Sequence, residues 1–320
     1  MGVVSHDRTA QAGPDGYGHR LGQKHLPFSE NTLRDLNYQL KQICRRNKDG
    51  SFTTQRDRER LLTQMADQLH ELGYRHMGAQ SLKPKHVEAL VESWQEKNLS
   101  VGAMKNRLAV IRWWAQKVNR QNVVARSNDH YGIPNRQFVA KASRARTVSP
   151  QDLERVRDPR VRMSLELQQA FGLRREEAIK FIPDYADQGD HVVLKPSWTK
   201  GGKARVIPVR SVEQRAVLNR THALTGKGSL IPSSRTYRQQ LRVYEADTAR
   251  AGLSRMHGLR HAYAQKRYEE LTGWRAPAAG GPHSKTLTPE QRQTDQEARL
   301  TISIELGHER TQVLSVYLGK

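Results

Sequence analysis

The sequence predicts a mainly α-helical protein with one small β-hairpin, divided into two domains. Apolar residues recur at spacings of three and four through most of the chain, which is the period of an amphipathic helix. One segment instead has two short β-branched runs around a Gly-Gly turn, the pattern of a hairpin. The length of 320 residues exceeds the usual domain size of about 150 residues, so two domains are expected.

The charge balance predicts a polyanionic partner. The chain has 54 Lys plus Arg against 32 Asp plus Glu, a formal net charge of +22. Nucleic acid is the favoured partner, and an anionic membrane surface is the weaker alternative. Only 36% of the residues are hydrophobic, and no run approaches the about 18 apolar residues of a membrane span, so no transmembrane segment is expected.

The N-terminal residues and the cysteine content favour a cytoplasmic protein. Residues 1–6 have no apolar signal core and lack the Ser or Thr that a myristoylation motif needs at its sixth position. Cys44 is the only cysteine, which forbids an intrachain disulfide and fits a reducing compartment.

The first domain is predicted to be a helical bundle preceded by a tail. Residues 1–25 lack apolar periodicity and are expected to form a flexible basic tail. Residues 26–119 contain four amphipathic patterns, which together predict a compact four-helix bundle. The helix starts or capping residues are predicted at Phe28, Thr53 or Thr54, Pro84 and Ser100.

A basic linker is predicted between the domains. Residues 120–146 lose the periodicity and hold six Lys or Arg residues against one acid, Asp129. Residues 147–320 form the second predicted domain, which opens with Ser149 as a helix N-cap and Pro150 at the first helical position.

Two segments of the second domain depart from the helical pattern. Residues 191–209 read as a hairpin whose turn contains Gly201 and Gly202. Residues 273–282 are rich in Gly, Pro and Ala and predict a mobile loop. A capping box at Thr288 then predicts a late helix.

Four local clusters contain chemically versatile residues. By itself, each is also compatible with an ordinary charged helix face, a surface lysine or a core tyrosine. His257 and Arg260 lie one helical turn apart, which suits joint contact with one phosphate. The clusters are Gly172-Leu173-Arg174-Arg175-Glu176-Glu177, Lys200, His257-Gly258-Leu259-Arg260-His261, and Leu306-Gly307-His308 with Tyr317 nine residues further on.

In this order, the clusters resemble the tyrosine recombinases, or phage-type integrases. Members of that family carry a G-L-R-x-x-E box, a lysine in a β-hairpin turn, an H-x-L-R-H box, and L-G-H with a tyrosine nine residues later. The motifs cover residues 145–320, whereas residues 28–119 match the family's SAM-like core-binding domain only in shape. The resemblance implies a two-domain DNA clamp whose tyrosine-recombinase catalytic domain spans residues 147–320.

The resemblance also implies a site-specific DNA recombinase that cleaves and rejoins strands. Tyr317 would attack the phosphodiester and form a 3′-phosphotyrosine, which stores the bond energy. His257 would accept the phenol proton, and Lys200 would protonate the departing 5′ oxygen. Integration, excision or inversion of a mobile element would follow.

The remaining catalytic groups would stabilise negative charge. Arg174 and Arg260 would contact the nonbridging oxygens as permanently charged donors, with an added hydrogen bond from His308. In the family, an acidic residue at the position of Glu177 supports these basic groups, and His261 is expected to pack behind Arg260. No metal or other cofactor is expected.

The implied partner is double-stranded DNA, bound by a homo-oligomer, either a dimer or a tetramer, with accessory DNA-bending factors as further partners. We expect a nucleoid-associated protein encoded by a bacterium, a phage or another mobile element. Each candidate DNA-contacting residue could equally belong to a solubilising surface. These candidates are Lys83, Lys85, Lys105, Arg107, Arg112, Arg144 and Arg146.

Two departures from the family pattern and several alternatives stay open. The 47 residues between Arg260 and His308 exceed the compact pattern and include the 273–282 loop, and only three residues follow Tyr317. We therefore expect no further helix to dock on a neighbouring protomer. The alternative functions are a type IB topoisomerase or a DNA-binding accessory protein without turnover. A metal-dependent nuclease is weaker, since no carboxylate cluster is evident.

Overall fold

The computed structural model describes residues 32–140 and 142–320. The predicted tail, residues 1–25, lies outside them. The prediction of a mainly helical protein with one small antiparallel sheet is confirmed. The chain divides into two compact units, Met1–Arg136 and Gln137–Lys320. Among the described residues, no helix has the length and apolar character needed to cross a membrane.

The described part of the first unit contains four α-helices. They are α1 Thr32–Arg46, α2 Phe52–Glu71, α3 Pro84–Glu96 and α4 Val101–Lys117. The predicted starts of α3 and α4 are confirmed, whereas α2 starts earlier than predicted because the Ser51 hydroxyl accepts the capping bond from the amide of Thr54. Trp94 and Trp114 are fully buried at the centre of the bundle.

Residues 120–136 belong to the first unit, so the structure differs here from the predicted linker. Val124 and Ile133 are buried in the core that α1 to α4 share. Arg112 on α4 donates from Nε and Nη2 to the carbonyl of Ala125, which pins the segment to the bundle. The burial of these two apolar side chains and the paired hydrogen bonds of Arg112 hold the segment on the bundle, although its sequence has no helical periodicity.

The second unit contains nine α-helices and two strands among its described residues. The helices are α5 Pro150–Glu154, α6 Pro159–Phe171, α7 Arg175–Ile179, α8 Pro183–Ala186, α9 Val212–Thr225, α10 Tyr237–Arg250, α11 Gly258–Thr272, α12 Pro289–Glu305 and α13 Ser315–Leu318. The strands β1 His191–Leu194 and β2 Arg205–Pro208 pair antiparallel, which confirms the hairpin. Ser149 and Thr288 cap α5 and α12 as predicted.

The segment 273–282, predicted as a mobile loop, is packed against α13. Ala276 and Ala278 are buried, and Ala276 shares a core with Tyr317 and Leu318. The lack of a side chain at Gly319 permits this close approach, since a Cβ there would lie only 2.8 Å from the amide nitrogen of Ala278. The segment therefore forms part of the surface on which α13 packs.

Candidate active site

The predicted catalytic residues converge on one open cleft of the second unit, with a volume of about 910 Å³. Five of the six line it. These five are Arg174, Lys200, His257, His308 and Tyr317. The sixth, Arg260, lies directly behind Tyr317 and is 1% exposed. Side chains that are up to 143 positions apart in the sequence therefore meet in one place.

Arg260 is held by three groups from separate parts of the fold. Its Nη1 donates to the carbonyl of Gly172 at 2.5 Å, its Nη2 donates to the carbonyl of Leu306, and its Nε donates to the Tyr317 hydroxyl at 3.4 Å. Burial and the neighbouring Arg174 lower the pKa of Arg260 to about 10. The group therefore stays charged at neutral pH and places a fixed cation beside the tyrosine.

Tyr317 lies on α13 and is 5% exposed. Its ring centroid is 4.5 Å from that of His261, 5.6 Å from that of His308 and 6.0 Å from that of His257. Three imidazole rings and one guanidinium thus lie around the phenol ring.

The helix that carries Tyr317 is anchored at both ends. The side-chain amide of Gln265 on α11 donates to the carbonyl of Tyr317 at 2.9 Å. The amide of Ala140 donates to the carbonyl of Ser315 at 2.9 Å, and Arg299 on α12 donates to the carbonyl of Gly319 at 3.1 Å.

The histidines of the site favour the neutral form. Burial, followed by the charge of Arg260, lowers the pKa of His308 to about 4, and burial with His257 nearby lowers that of His261 to about 4. Desolvation, Arg260 and Arg174 also lower the pKa of His257. A neutral imidazole at His257 can accept a proton, as a general base must. His261, predicted to pack behind Arg260, lies against the ring of Tyr317.

Glu177 is fully buried and binds Arg174 twice. The carboxylate accepts the Arg174 amide through Oε2 and the Arg174 Nη1 through Oε1, both at 2.7 Å. Arg205 donates to the same two oxygens, from Nη1 at 3.1 Å and from Nη2 at 2.6 Å. Burial raises the pKa of Glu177, but Arg205, Arg260 and Arg174 outweigh it and hold that pKa below its usual range.

Sequence reasoning missed Arg205. The residue opens β2 and is 5% exposed, on the same buried face as Ile207, whereas Val206 between them points outward. The period-two pattern of a strand carries the signal, since it places residue 205 on the apolar face of the predicted hairpin. A charge at such a position requires a buried partner, which the sequence alone did not identify.

Lys200 lies in the loop between β1 and β2 and is exposed at the cleft. The Thr199 hydroxyl donates to the carbonyl of Lys203 at 2.6 Å and shapes this turn. Lys203 pairs with Glu309, the residue after His308. The loop is thus joined to the other wall of the cleft.

The candidate DNA-contacting residues of the first unit differ in their freedom. Lys83 and Lys85 are exposed at the start of α3. Lys105 donates to Asn135, and Arg107 lies 5.3 Å above the ring of Trp94. Arg112 binds the backbone carbonyl of residue 125. Lys105, Arg107 and Arg112 therefore already make contacts within their own domain.

Arg144 and Arg146 are both exposed and line a second crevice, of about 450 Å³, beside the catalytic cleft. Arg255, His257 and His261 line the same crevice. The segment with the two arginines is fixed to α11, because the Arg146 amide donates to the carbonyl of Gly258 at 3.0 Å. A cationic surface therefore continues from the catalytic cleft into this crevice.

Comparison with known proteins identifies related folds. A lambda integrase dimer bound to a COC′ core site is 13% identical over 88% of this chain and 94% of that chain, with a TM-score of 0.57. The XerH site-specific recombinase bound to a palindromic difH substrate is 15% identical over 89% and 81%, with a TM-score of 0.54. No curated protein matches the chain.

Family models cover both units. The phage integrase N-terminal model matches residues 33–124, and the integrase model matches residues 139–266. Together they account for more than half of the chain, and the second match includes the G-L-R and H-x-L-R-H boxes. The chain therefore belongs to the tyrosine recombinases, the phage-type integrase family.

Proposed function

We propose that this protein is a site-specific DNA recombinase in which Tyr317 cleaves one DNA strand and holds it as a 3′-phosphotyrosine. The observation that carries the proposal is the convergence of five catalytic-type side chains on one cleft, with Arg260 fixed behind the tyrosine. The fold relatives support it, since they are a lambda integrase dimer bound to a core site and the XerH recombinase bound to a difH substrate.

Cleavage begins with proton loss from the Tyr317 hydroxyl. A free phenol has a pKa of about 10, so a base or a nearby cation has to favour the phenolate. His257 accepts the proton in this proposal, and Arg260, which already donates to the hydroxyl, stabilises the developing charge. The phenolate oxygen forms the bond to phosphorus as the bond from phosphorus to the 5′ oxygen breaks.

The departing 5′ oxygen takes a proton from Lys200, whose exposed position in the hairpin loop lets it reach a bound backbone. Arg174 and Arg260 neutralise charge on the nonbridging oxygens, to which the neutral imidazole of His308 adds a hydrogen bond. A 5′ hydroxyl from the partner duplex then attacks the phosphotyrosine, which restores the DNA and frees Tyr317.

Duplex DNA binds across the cationic surface formed by the cleft and its neighbouring crevice. Arg144 and Arg146 contact backbone phosphates there, and Lys83 and Lys85 are the exposed candidates on the first domain. Recombination joins two duplexes, so we propose a dimer or tetramer on DNA, with the basic segment before residue 147 linking the core-binding and catalytic domains. A cytoplasmic, nucleoid-associated location follows from this substrate.

The test is trapping of a covalent adduct. Purified protein is incubated in EDTA with supercoiled DNA carrying fragments of its host element, and adducts are resolved on a denaturing gel. Wild type should yield a protein-DNA band that Tyr317→Phe abolishes. Tyr38→Phe, which alters an exposed tyrosine on α1, should retain it.

The same gel separates the alternatives. Binding without any adduct on these fragments would contradict the proposed function and support a DNA-binding accessory protein. Adducts on any supercoiled DNA, with relaxation by a strictly monomeric enzyme, would support a type IB topoisomerase instead.

A further inference from the structure

We propose that Arg205 is a positioning residue of the catalytic site, which holds Glu177 so that the Arg174 guanidinium stays available to the scissile phosphate. The inference rests on the proposed function and assigns a task to an arginine outside the predicted catalytic set. Its basis is the way in which two guanidiniums share one buried carboxylate.

Arg205 takes the two-pronged position on Glu177. Its Nη1 and Nη2 reach Oε1 and Oε2 respectively, which is the preferred bidentate geometry of a guanidinium on a carboxylate. Arg174 therefore binds the carboxylate through a single guanidinium nitrogen, Nη1. In the absence of Arg205, Glu177 would be free to draw Arg174 into the bidentate pair and away from the cleft.

The remaining donors of Arg174 are weakly engaged. Its Nη2 makes only a 3.4 Å contact with the carbonyl of Leu306, and the side chain is 20% exposed at the cleft. Arg205, by contrast, is almost completely buried and makes a 3.0 Å bond to the same carbonyl. One arginine thus binds inward to the fold, while the other retains donors for a ligand.

The charge balance of the cluster favours an anion. Arg174, Arg205 and Arg260 surround the single carboxylate of Glu177, which leaves an excess of positive charge in a largely buried site. An uncompensated charge of this kind is costly in a protein interior unless a ligand neutralises it. A phosphate of the DNA backbone supplies the negative charge that neutralises it.

Arg205 also fixes the turn that precedes His308. All three arginines donate to the carbonyl of Leu306. Gly307 has a φ of +65°, and a Cβ there would lie 2.9 Å from both Cδ and Nη1 of Arg205. The backbone therefore lies directly against this side chain, which requires glycine at residue 307.

The test compares variants on three substrates at the cleavage site mapped with wild-type adducts. The first carries the natural phosphodiester. The second carries a methylphosphonate, in which a neutral methyl replaces one nonbridging oxygen. The third has sulfur in place of the 5′ bridging oxygen, so that its leaving group needs no proton. Arg205→Met, Arg205→Lys and the control Arg215→Met are measured in single-turnover adduct formation.

Arg205→Met should slow cleavage of the phosphodiester about 100-fold, the scale of a misplaced catalytic group. The defect should shrink toward unity on the methylphosphonate, because that transition state carries less charge for Arg174 to neutralise. It should persist on the sulfur substrate. Arg205→Lys should remain defective, since one ammonium cannot span both carboxylate oxygens.

Arg215→Met breaks another ion pair of the same domain, with the partly buried Asp187, and should cleave at the wild-type rate. Wild-type cleavage by both Arg205 variants would overturn the proposal. An equal rate defect on all three substrates would also overturn it, because that result indicates a general loss of structure. A defect that disappears only on the sulfur substrate would overturn it as well, because that result indicates an effect through Lys200. Inactive wild type would instead refute the proposed function. If Arg205→Met fails to fold, Arg205→Lys carries the comparison.

Discussion

The Arg260 guanidinium donates from Nε to the Tyr317 hydroxyl across 3.4 Å, and the two side chains are only 1% and 5% exposed. Tyr317, the proposed nucleophile, and its neighbouring cation therefore meet within the folded chain. The entropy lost in fixing these two side chains is therefore lost during folding rather than during the reaction. The rings of His261 and His308 complete the packing around the phenol.

Glu177→Gln should strongly destabilise the second unit. The variant keeps the side-chain size but removes the charge that Arg174 and Arg205 share, which leaves buried guanidiniums unpaired. We expect the free energy of unfolding to fall by about 3–5 kcal/mol, measured by urea denaturation. Glu245→Gln removes an exposed partner of Arg175 and should change it by less than about 1 kcal/mol. Equal losses would contradict the central place of Glu177 in the cluster.

Acidification should destabilise the fold through its buried histidines. The pKa of His261 and of His308 is about 4 in the folded protein, against about 6.5 in an unfolded chain. Between these values the unfolded state binds more protons, so stability should fall as the pH drops from about 6.5 to about 4. Urea titrations at several pH values measure this slope.

The matched variant for this slope is His261→Phe, which keeps an aromatic ring against Tyr317 and should flatten the loss. His76→Phe, at an exposed position of the first unit, should leave the slope unchanged. A slope that is the same in all three proteins would show that His261 does not contribute.

Gly172→Ala should cost more than its backbone conformation alone explains. Gly172 has a φ of +61°, and an added Cβ would lie 2.5 Å from Cδ1 of the buried Tyr263. We expect a loss of about 3 kcal/mol in unfolding free energy, from strain plus overpacking. Gly189 has a φ of +89° with nothing within 4 Å, so Gly189→Ala should lose only about 1 kcal/mol. Chemical denaturation of both variants provides the comparison, and equal losses would exclude the steric contribution.

The salt dependence of DNA binding should identify the arginines that contact phosphates. Arg144→Ala and Arg146→Ala should each reduce the slope of log K against log salt by about 1, because each removes one phosphate contact. Arg112→Ala should leave the slope unchanged, since Arg112 already binds Ala125 and Asn128 within its own domain. Fluorescence anisotropy over a salt series measures these slopes, and a reduced slope for Arg112→Ala alone would reverse the assignment.

The sequence predicted those features that short motifs and local periodicity encode. Ser100 and Pro84 marked helix starts because capping depends on neighbouring residues. The six predicted catalytic residues came from four local clusters, and the structure places five of them along one cleft and Arg260 behind Tyr317. The pairing of β1 with β2 likewise followed from residues close in sequence.

Long-range packing accounts for what the sequence did not predict. Arg205 pairs with Glu177, 28 positions away, and neither residue signals the other locally. Val124 and Ile133 join the first core although their segment lacks periodicity. Residues 273–282 have the composition of a loop, yet Ala276 and Ala278 are buried, because burial depends on the shape of distant neighbours.

The hydrogen bonds that anchor α13 concern the question of which subunit supplies the tyrosine for each cleavage. Gln265, Ala140 and Arg299 hold the backbone around Tyr317, so one polypeptide contains the proposed nucleophile together with the groups that would activate it. Under the proposed function, we therefore expect each DNA-bound subunit to cleave with its own tyrosine. The assembly of subunits on DNA would then determine which DNA ends are exchanged, whereas strand cleavage would depend on contacts within one chain.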